Sequence, residues 1–552
     1  NIALGYQTLH SNTIGNTNIA VGREAMYTNV AADRNVALGY RSLYTMSRST
    51  TADTYNVGCG NESLYSLTTG AFCTAIGGKA LYTATTGDGN TAVGYNALTA
   101  NTTGEYNVAV GFGALDTNTT ASNNTTVGTS SLGANTTGAN NTALGASALA
   151  ANTTADYNTA VGRFALKSNT TGAQNTAIGA QSLYSNTTAS HNTACGREAL
   201  YANTTGASNT AVGTDALQNN TTGDYNTAVG HDTLDANTTA SDNTAVGYNA
   251  LTTNTTGDRN TACGKEALKN NNGDDNTGCG RDALFHNTTG VSNTAVGTDS
   301  LQQNTTGNYN VAVGHDALDA NTTASKNTCV GYNVLASNTT GSNNVAIGAN
   351  ALRDITDGLD SVCVGTDALI ECTGSTNTAL GNIAGYSVTT GSGNVFLGNQ
   401  AGRNQVTTTS NQLYIARAAT AKGNAETWIQ GDDAGAVYQG NNSSSWSTTS
   451  DRRLKKNIVD SPKGLAEINQ LRVTNFEYRL QDEIDMSEFP LSDDAVQVVL
   501  GGGQEGKVQT GVIAQEIESV IPECIKVSDR GAKTVNNDPI MWAMVNAIKE
   551  LS

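Results

Sequence analysis

The sequence is poor in what compact folds are made of. It has 4 prolines in 552 residues, and all four (Pro462, Pro490, Pro522, Pro539) lie in its last fifth. Aromatic residues make up 5% and charged residues 14%, whereas ordinary globular domains carry about 25% charge. Length alone would suggest about three or four domains, but the supply of large apolar side chains does not fill several cores. No run approaches the roughly 18 apolar residues of a membrane-spanning helix. Bases are scarce, with 29 Lys+Arg against 47 Asp+Glu and a net charge of −18, which excludes nucleic-acid binding through phosphate attraction. The 60 glycines fall far below one third of the chain and show no three-residue period, which excludes collagen. Asn, Thr, Gly and Ala dominate instead, a composition suited to a thin, elongated, repetitive object. Residue 1 is Asn and falls inside a repeat, as expected of a fragment or a processed product.

Composition divides the chain. From Ser450 onward, 29 of 103 residues are charged, against 47 of the first 449. A boundary is expected at Ser450, with the Ser-rich stretch before it as a joint. Expected are a repeat shaft over 1–402, a β-rich transition segment over 403–449, and a small α/β domain over 450–552.

The shaft consists of 24 copies of one pattern: Asn-Thr-Ala-Val-Gly, two variable residues, Ala-Leu, two variable residues, Asn-Thr-Thr-Gly, two variable residues. The copies recur every 17 residues, except for one spacing of 21 (Asn35 to Asn56) and two of 16 (Asn260 to Asn276, Ser361 to Asn377). A period of this size, with short apolar pieces between Gly and Asn turn signals, predicts one β-solenoid coil per copy. Thr-Ala-Val and Ala-Leu read as two strand pieces. Stacking is expected to bury the Val and Leu ladders in one continuous core, giving a rod of roughly 115 Å at ~4.8 Å per rung.

The remaining residue types are read within that frame. Cys59, Cys195, Cys263 and Cys279 replace the Val, and Cys329 and Cys363 the Ala, so they read as small core residues and free thiols. Cys263 and Cys279, in adjacent coils, are the one pair suited to a bond or a weak metal contact. Asn-Thr-Thr is formally a glycosylation sequon, but as part of the repeat it reads as a turn closed by side-chain-to-backbone bonds. Successive threonines alternate faces, which argues against an ice-binding array. The tyrosines after Ala-Leu (Tyr27, Tyr44, Tyr65, Tyr82, Tyr184, Tyr201) and before the leading Asn (Tyr106, Tyr157, Tyr225, Tyr309) are placed to pack at coil edges or to stack on sugars. No two of the five histidines share a register that suggests ligation, so no metal and no cofactor is expected.

Asn-Thr-Ala-Val-Gly resembles the Ser-Val-Ala-Ile-Gly units in the head domains of trimeric autotransporter adhesins, although the 17-residue period departs from them. That resemblance implies a left-handed β-roll and three chains. Overall, the expected fold is mainly β: a trimeric β-solenoid of 17-residue coils followed by a small α/β domain.

In the last 103 residues, helices are expected over 462–471, over 514–521 and from Asp538 as cap to the end. Strands are expected over 473–478, 508–513 and 525–527. The final helix carries Ile540, Met544, Val545, Ile548 and Leu551 at helical spacing. Ser450-Asp451-Arg452-Arg453-Leu454-Lys455 and Gly511-Val512-Ile513-Ala514-Gln515-Glu516, the latter followed by Pro522-Glu523, resemble two signatures of the intramolecular chaperone of phage endosialidases and tail spikes. The resemblance implies a domain that trimerises the fibre before it and then cuts itself off at Thr449–Ser450. Ser450 would act as nucleophile and Lys455 as base, with Asp451 and Arg453 completing the motif. The chemistry is consistent with the residues present. A serine hydroxyl needs a base, no His lies in this domain, and a lysine serves once burial lowers its pKa.

The function expected from all this is that of a structural and host-attachment fibre of a virus particle, a phage tail fibre or spike. It would be an extracellular virion component, homotrimeric, joined to other tail or baseplate proteins, and directed at a host surface glycan or protein. Enzymatic activity is expected to be at most single-turnover autoproteolysis. Two other classes remain open at this stage: a bacterial trimeric surface adhesin, and a glycan depolymerase whose active site lies between chains.

Overall fold

The computed structural model describes residues 1–404, 408–417, 427–431, 437–439, 458–476, 508–527 and 533–552. The chain divides into two units, Asn1–Ser445 and Trp446–Ser552.

The first unit is a β-solenoid of 24 coils, mainly of 17 residues. Each copy of the repeat contributes one three-residue rung strand, from Ile2–Leu4 to Val395–Leu397. Neighbouring rungs pair in parallel and in register, as in Thr91↔Val108, Ala92↔Ala109, Val93↔Val110. The irregular spacings do not disturb the ladder: Val36 still faces Val57 and Thr261 still faces Thr277. The 21-residue coil places its extra residues beside the ladder, where Ala52–Asp53 pairs with Ala32–Asp33.

Two expectations about the coil are corrected. Ala-Leu is not a strand. The Leu takes a left-handed conformation in coil after coil, with φ of 52° at Leu98 and 53° at Leu115, and sits in a turn whose N–H reaches the next coil (Leu98 N to Ala114 O, 3.0 Å). The Val ladder is also not core. Along a strand successive side chains alternate faces, and here the middle residue points inward: Ala92, Ala109 and Ala211 are fully buried, while Val212, Val229 and Val246 are 36–39% exposed. The interior between the rung and the facing turn is only deep enough for Ala opposite Leu. Accordingly Cys329 and Cys363 are buried, whereas Cys59 and Cys195 are half-buried and Cys263 and Cys279 exposed.

Two asparagine ladders complete the core. From the second coil onward the leading residue is fully buried, Asn in every coil but two, where Cys73 and Ser361 take its place. Asn90 Oδ1 accepts from the backbone N–H of Asn107 at 3.0 Å, and Asn107 Nδ2 donates to Ala121 O at 2.9 Å. The Asn of Asn-Thr-Thr forms the second ladder, with Asn118 Nδ2 donating to Asn101 Oδ1 at 2.8 Å. These bonds satisfy backbone groups that a coil this thin buries without strand partners. The glycine after each rung has φ near +135°, and a Cβ at Gly94 would lie 2.3 Å from Gly111 O, so the coils stack only because no side chain is there.

The ladder ends in a size exchange. Phe396 replaces the small inward residue of the last rung, while Gly385 and Gly402 replace Leu at the turn; a Cβ at Gly402 would meet the Phe396 ring at 2.4 Å. Phe396 stacks on Tyr414 at 5.6 Å. Leu413–Ala416 adds to the ladder in parallel, and Thr427–Gly431 and Val437–Gln439 continue it antiparallel.

The second unit contains two small antiparallel pairs and three α-helices among its described residues. Thr474–Phe476 pairs with Gln509–Gly511, and Ile525–Val527 pairs with Lys533–Val535. The first helix is shorter than expected, Leu465–Ile468. The last, Asn537–Leu551, is capped by Asn536 rather than Asp538, because the Asn536 side chain accepts from Asp538 N. Its apolar stripe is not the face it buries. Ala543 and Ala547 are buried, whereas Met544, Val545, Ile548 and Leu551 are exposed; small side chains let the helix lie close on Ile517, Ile521 and Cys524.

Candidate functional site

The expected cleavage site, Thr449 and Ser450, and its partners Asp451, Arg453 and Lys455 lie outside the described residues. The second signature is described. Gly511 closes a strand, Val512 and Ile513 lead into the helix Ala514–Glu518, and Pro522–Cys524 forms a 3-10 turn behind it. The apolar positions of this run (Val512, Ile517, Val520, Ile521) pack against Ile468, Leu471 and Ile540, which explains their spacing. Glu516 faces outward and pairs with Arg472, Nε to Oε2 at 3.1 Å. That bond holds the Glu516 carboxyl below its usual range. Of the nearby lysines, Lys463 donates to Val520 O at 3.2 Å and Lys533 pairs with Glu518.

Residues 450–526 match the family described as chaperone of endosialidase. No curated protein and no solved structure matches the chain. The match begins at Ser450 and takes in both signatures, so the chain is a β-solenoid followed by a chaperone-of-endosialidase segment.

The solenoid surface carries side-chain groups of its own. Among the described residues, Asp215, His231 and Asp232, and again Asp299, His315 and Asp316, bring their ligand-type atoms within 4.8 Å of one another. Comparing histidines only with each other missed them; each His meets carboxylates of its own and the preceding coil. Both groups are internally paired. Arg197 Nη2 lies 2.8 Å from Asp215 Oδ2 and His231 Nδ1 2.8 Å from Asp232 Oδ2, with Arg281 and His315 repeating the arrangement. They are charge networks in which a cation would compete with an arginine.

Beside the second group, burial, together with Asp316 and Asp299, pushes the Asp319 carboxyl up to about 6. Its Oδ1 is buried without a hydrogen-bond partner. Because this folded pKa exceeds the unfolded value near 3.9, the folded chain binds the proton more tightly. Stability therefore falls as pH rises between about 4 and 6 and stays reduced above that window. Asp319→Asn is expected to stabilise by roughly 1–3 kcal/mol at pH 7.5 and to be near neutral at pH 4. Thermal unfolding at the two pH values checks this, and equal shifts at both would contradict it.

The tyrosines divide into two classes. His10, Tyr27, Tyr44, Tyr65 and Tyr82 form one stack with ring centroids 4.8–5.2 Å apart, and Tyr184 stacks on Tyr201 at 5.1 Å. Their faces are covered by each other, which removes all but the end rings from sugar stacking. Tyr106, Tyr157, Tyr225 and Tyr309 are instead exposed. The Asn-Thr-Thr turn is closed as its composition implied: Asn101 Nδ2 donates to Gly104 O and Thr102 Oγ1 to Thr119 O. The amide nitrogen that glycosylation would modify is buried and bonded.

Proposed function

We propose that the chain is the shaft and C-terminal chaperone of a homotrimeric virus fibre, a phage tail fibre or spike that attaches the particle to a host surface glycan or protein. The reading is carried by the chaperone-of-endosialidase match directly downstream of a ladder of near-identical rungs. Such a ladder poses a registration problem. One chain shifted by a whole coil against another repeats almost every contact, so pairing is nearly degenerate. A separate element at one end, which aligns three chains before the coils close, resolves it. The exposed apolar face of the last helix, Met544, Val545, Ile548 and Leu551, suits such an element. An adhesin would share the solenoid but gives no reason for the chaperone.

After assembly the segment releases itself. Lys455, as neutral amine, takes the proton of Ser450 Oγ, which adds to the Thr449 carbonyl carbon. The Thr449–Ser450 C–N bond breaks, and the Ser450 nitrogen leaves with the proton from Lys455. Water then hydrolyses the resulting ester, giving a Thr449 carboxylate and restoring the serine hydroxyl.

Native mass spectrometry of the purified full chain is expected to give three times the 56.7 kDa chain mass, less any released segment. A chain ending at residue 449 is expected to form no uniform trimer. A monomeric, monodisperse full chain would remove the reading.

A further inference from the structure

We infer that the copies meet, parallel and in register, on the outward face of the rung strands. This rests on the trimer reading above and names the surface through which it is made.

Each rung presents its first and third side chains outward. The third position is Val, Ile, Leu or Cys in all 24 rungs, and the first is Thr, Val or Ile. Neither column contains a charged residue, an Asn or a Gly. A sheet face left to solvent normally accumulates Lys, Glu and other gatekeepers against edge and face association. The other outer columns of this solenoid do so, with Arg197, Asp215, Arg259 and Asp275 among them. The exposed positions run the length of the ladder, from Leu38 and Ile76 through Val212 and Val246 to Ile347 and Leu380, at 37–43% exposure. Together they offer on the order of 1,000 Å² per chain. The largest apolar patch of an ordinary monomer is about 300–600 Å², and a stable interface buries about 800 Å² per partner.

The geometry of the face selects the partner. Apolar ridges recur at every rung, ~4.8 Å apart, and both the 21-residue and the 16-residue coils leave the register intact. A second copy laid parallel presents the same spacing over the whole ladder. A globular partner would meet only a few rungs. With this face turned to the other copies, Cys195, Cys263 and Cys279 lie between chains, and the exposed Tyr106, Tyr157, Tyr225 and Tyr309, which precede the leading Asn, lie on a different column.

Two measurements test the surface separately from the oligomeric state. In the first, the wild-type chain is treated with iodoacetamide under native conditions and after unfolding in urea, and each cysteine is quantified by peptide mass spectrometry. Cys263 and Cys279 are expected to react at least tenfold more slowly in the native assembly. Reaction at the unfolded rate in a chain whose native mass is that of a trimer would overturn the inference and leave the trimer standing. In the second, Val229→Glu with Val246→Glu is compared with Lys326→Glu in the column before the leading Asn. The double variant is expected to lose the trimer mass and Lys326→Glu to keep it. A trimeric double variant would place the interface elsewhere. A monomeric wild type would end both readings.

Discussion

A chain carrying Ser450→Ala is expected to remain a single species of full length on denaturing electrophoresis. The unaltered chain is expected to separate into the solenoid and a fragment of roughly 11 kDa, from 103 residues at ~110 Da each. Lys455→Ala should give the same result by a different route. The first variant lacks the oxygen that attacks the Thr449 carbonyl. The second leaves that oxygen protonated, and a protonated hydroxyl is a poor nucleophile. With no histidine in residues 450–552, no imidazole can substitute, so each change is expected to slow cleavage by at least a hundredfold, the scale of a lost general base. Ser450→Cys separates the two roles. A thiol supplies a nucleophile that depends less on the base, so it should restore cleavage in part, and restoration should survive the added Lys455→Ala. Trimer mass before cleavage should be the same in the unaltered chain and in all four variants. An unchanged two-band pattern in both alanine variants would remove autoproteolysis from the reading while leaving the chaperone match in place.

How far the sequence could be read depended on which property each residue's position constrained. The 17-residue period located every rung correctly, because rung strands begin where Asn-Thr-Ala-Val-Gly places them. The inward face was misread because hydrophobicity favours Val over Ala as core. Side-chain size was the better guide. The middle position admits Ala, Gly58, Gly278, Thr126, Cys329 and Cys363, with Phe396 only where Gly385 and Gly402 make room, whereas the third position tolerates Leu, Ile, Val and Cys. A column limited by volume is interior; a column free to vary among branched side chains is not. The second asparagine ladder carried a similar signal. Its slot is taken by Met46, Leu67, Ala84, Ile355, Cys372 and Val388, all buried, and a polar residue that exchanges with Leu and Ile sits inside. In the second unit the start of the last helix was shifted for a local reason: Asn536 and Asp538 are both good caps, and Asn536 takes the role because its side chain accepts from Asp538 N. The cleavage residues were legible only through their resemblance to a family, since four basic residues in a row of seven carry no geometry.

The leading asparagines make the strongest claim about what holds the solenoid together. Asn158 receives the backbone N–H of Asn175 on its Oδ1 at 3.0 Å and donates Nδ2 to Gly172 O at 3.0 Å. Asn158→Ala leaves the buried Asn175 N–H without a partner and takes from Gly172 O one of its two donors, the other being Asn169 Nδ2. An orphaned buried amide costs about 1–3 kcal/mol and the second lost hydrogen bond about 0.5–1.5 kcal/mol, so a loss of roughly 2–4 kcal/mol is expected. The neighbouring, solvent-facing Thr154→Ala should stay within ~0.5 kcal/mol. A solenoid is stabilised coil by coil through nearest neighbours, so the damage should be local. Amide hydrogen exchange should lose protection in the coils on either side of residue 158 while distant coils around Asn310 keep theirs. Asn152→Leu, in the second ladder, should cost less than Asn158→Ala. The ladder already accommodates aliphatic side chains, and Asn169, whose Nδ2 bonds to both Asn152 Oδ1 and Gly172 O, keeps the latter. If Asn158→Ala proves no more harmful than Thr154→Ala, the asparagine ladders are passengers and the Ala–Leu packing alone closes the coil.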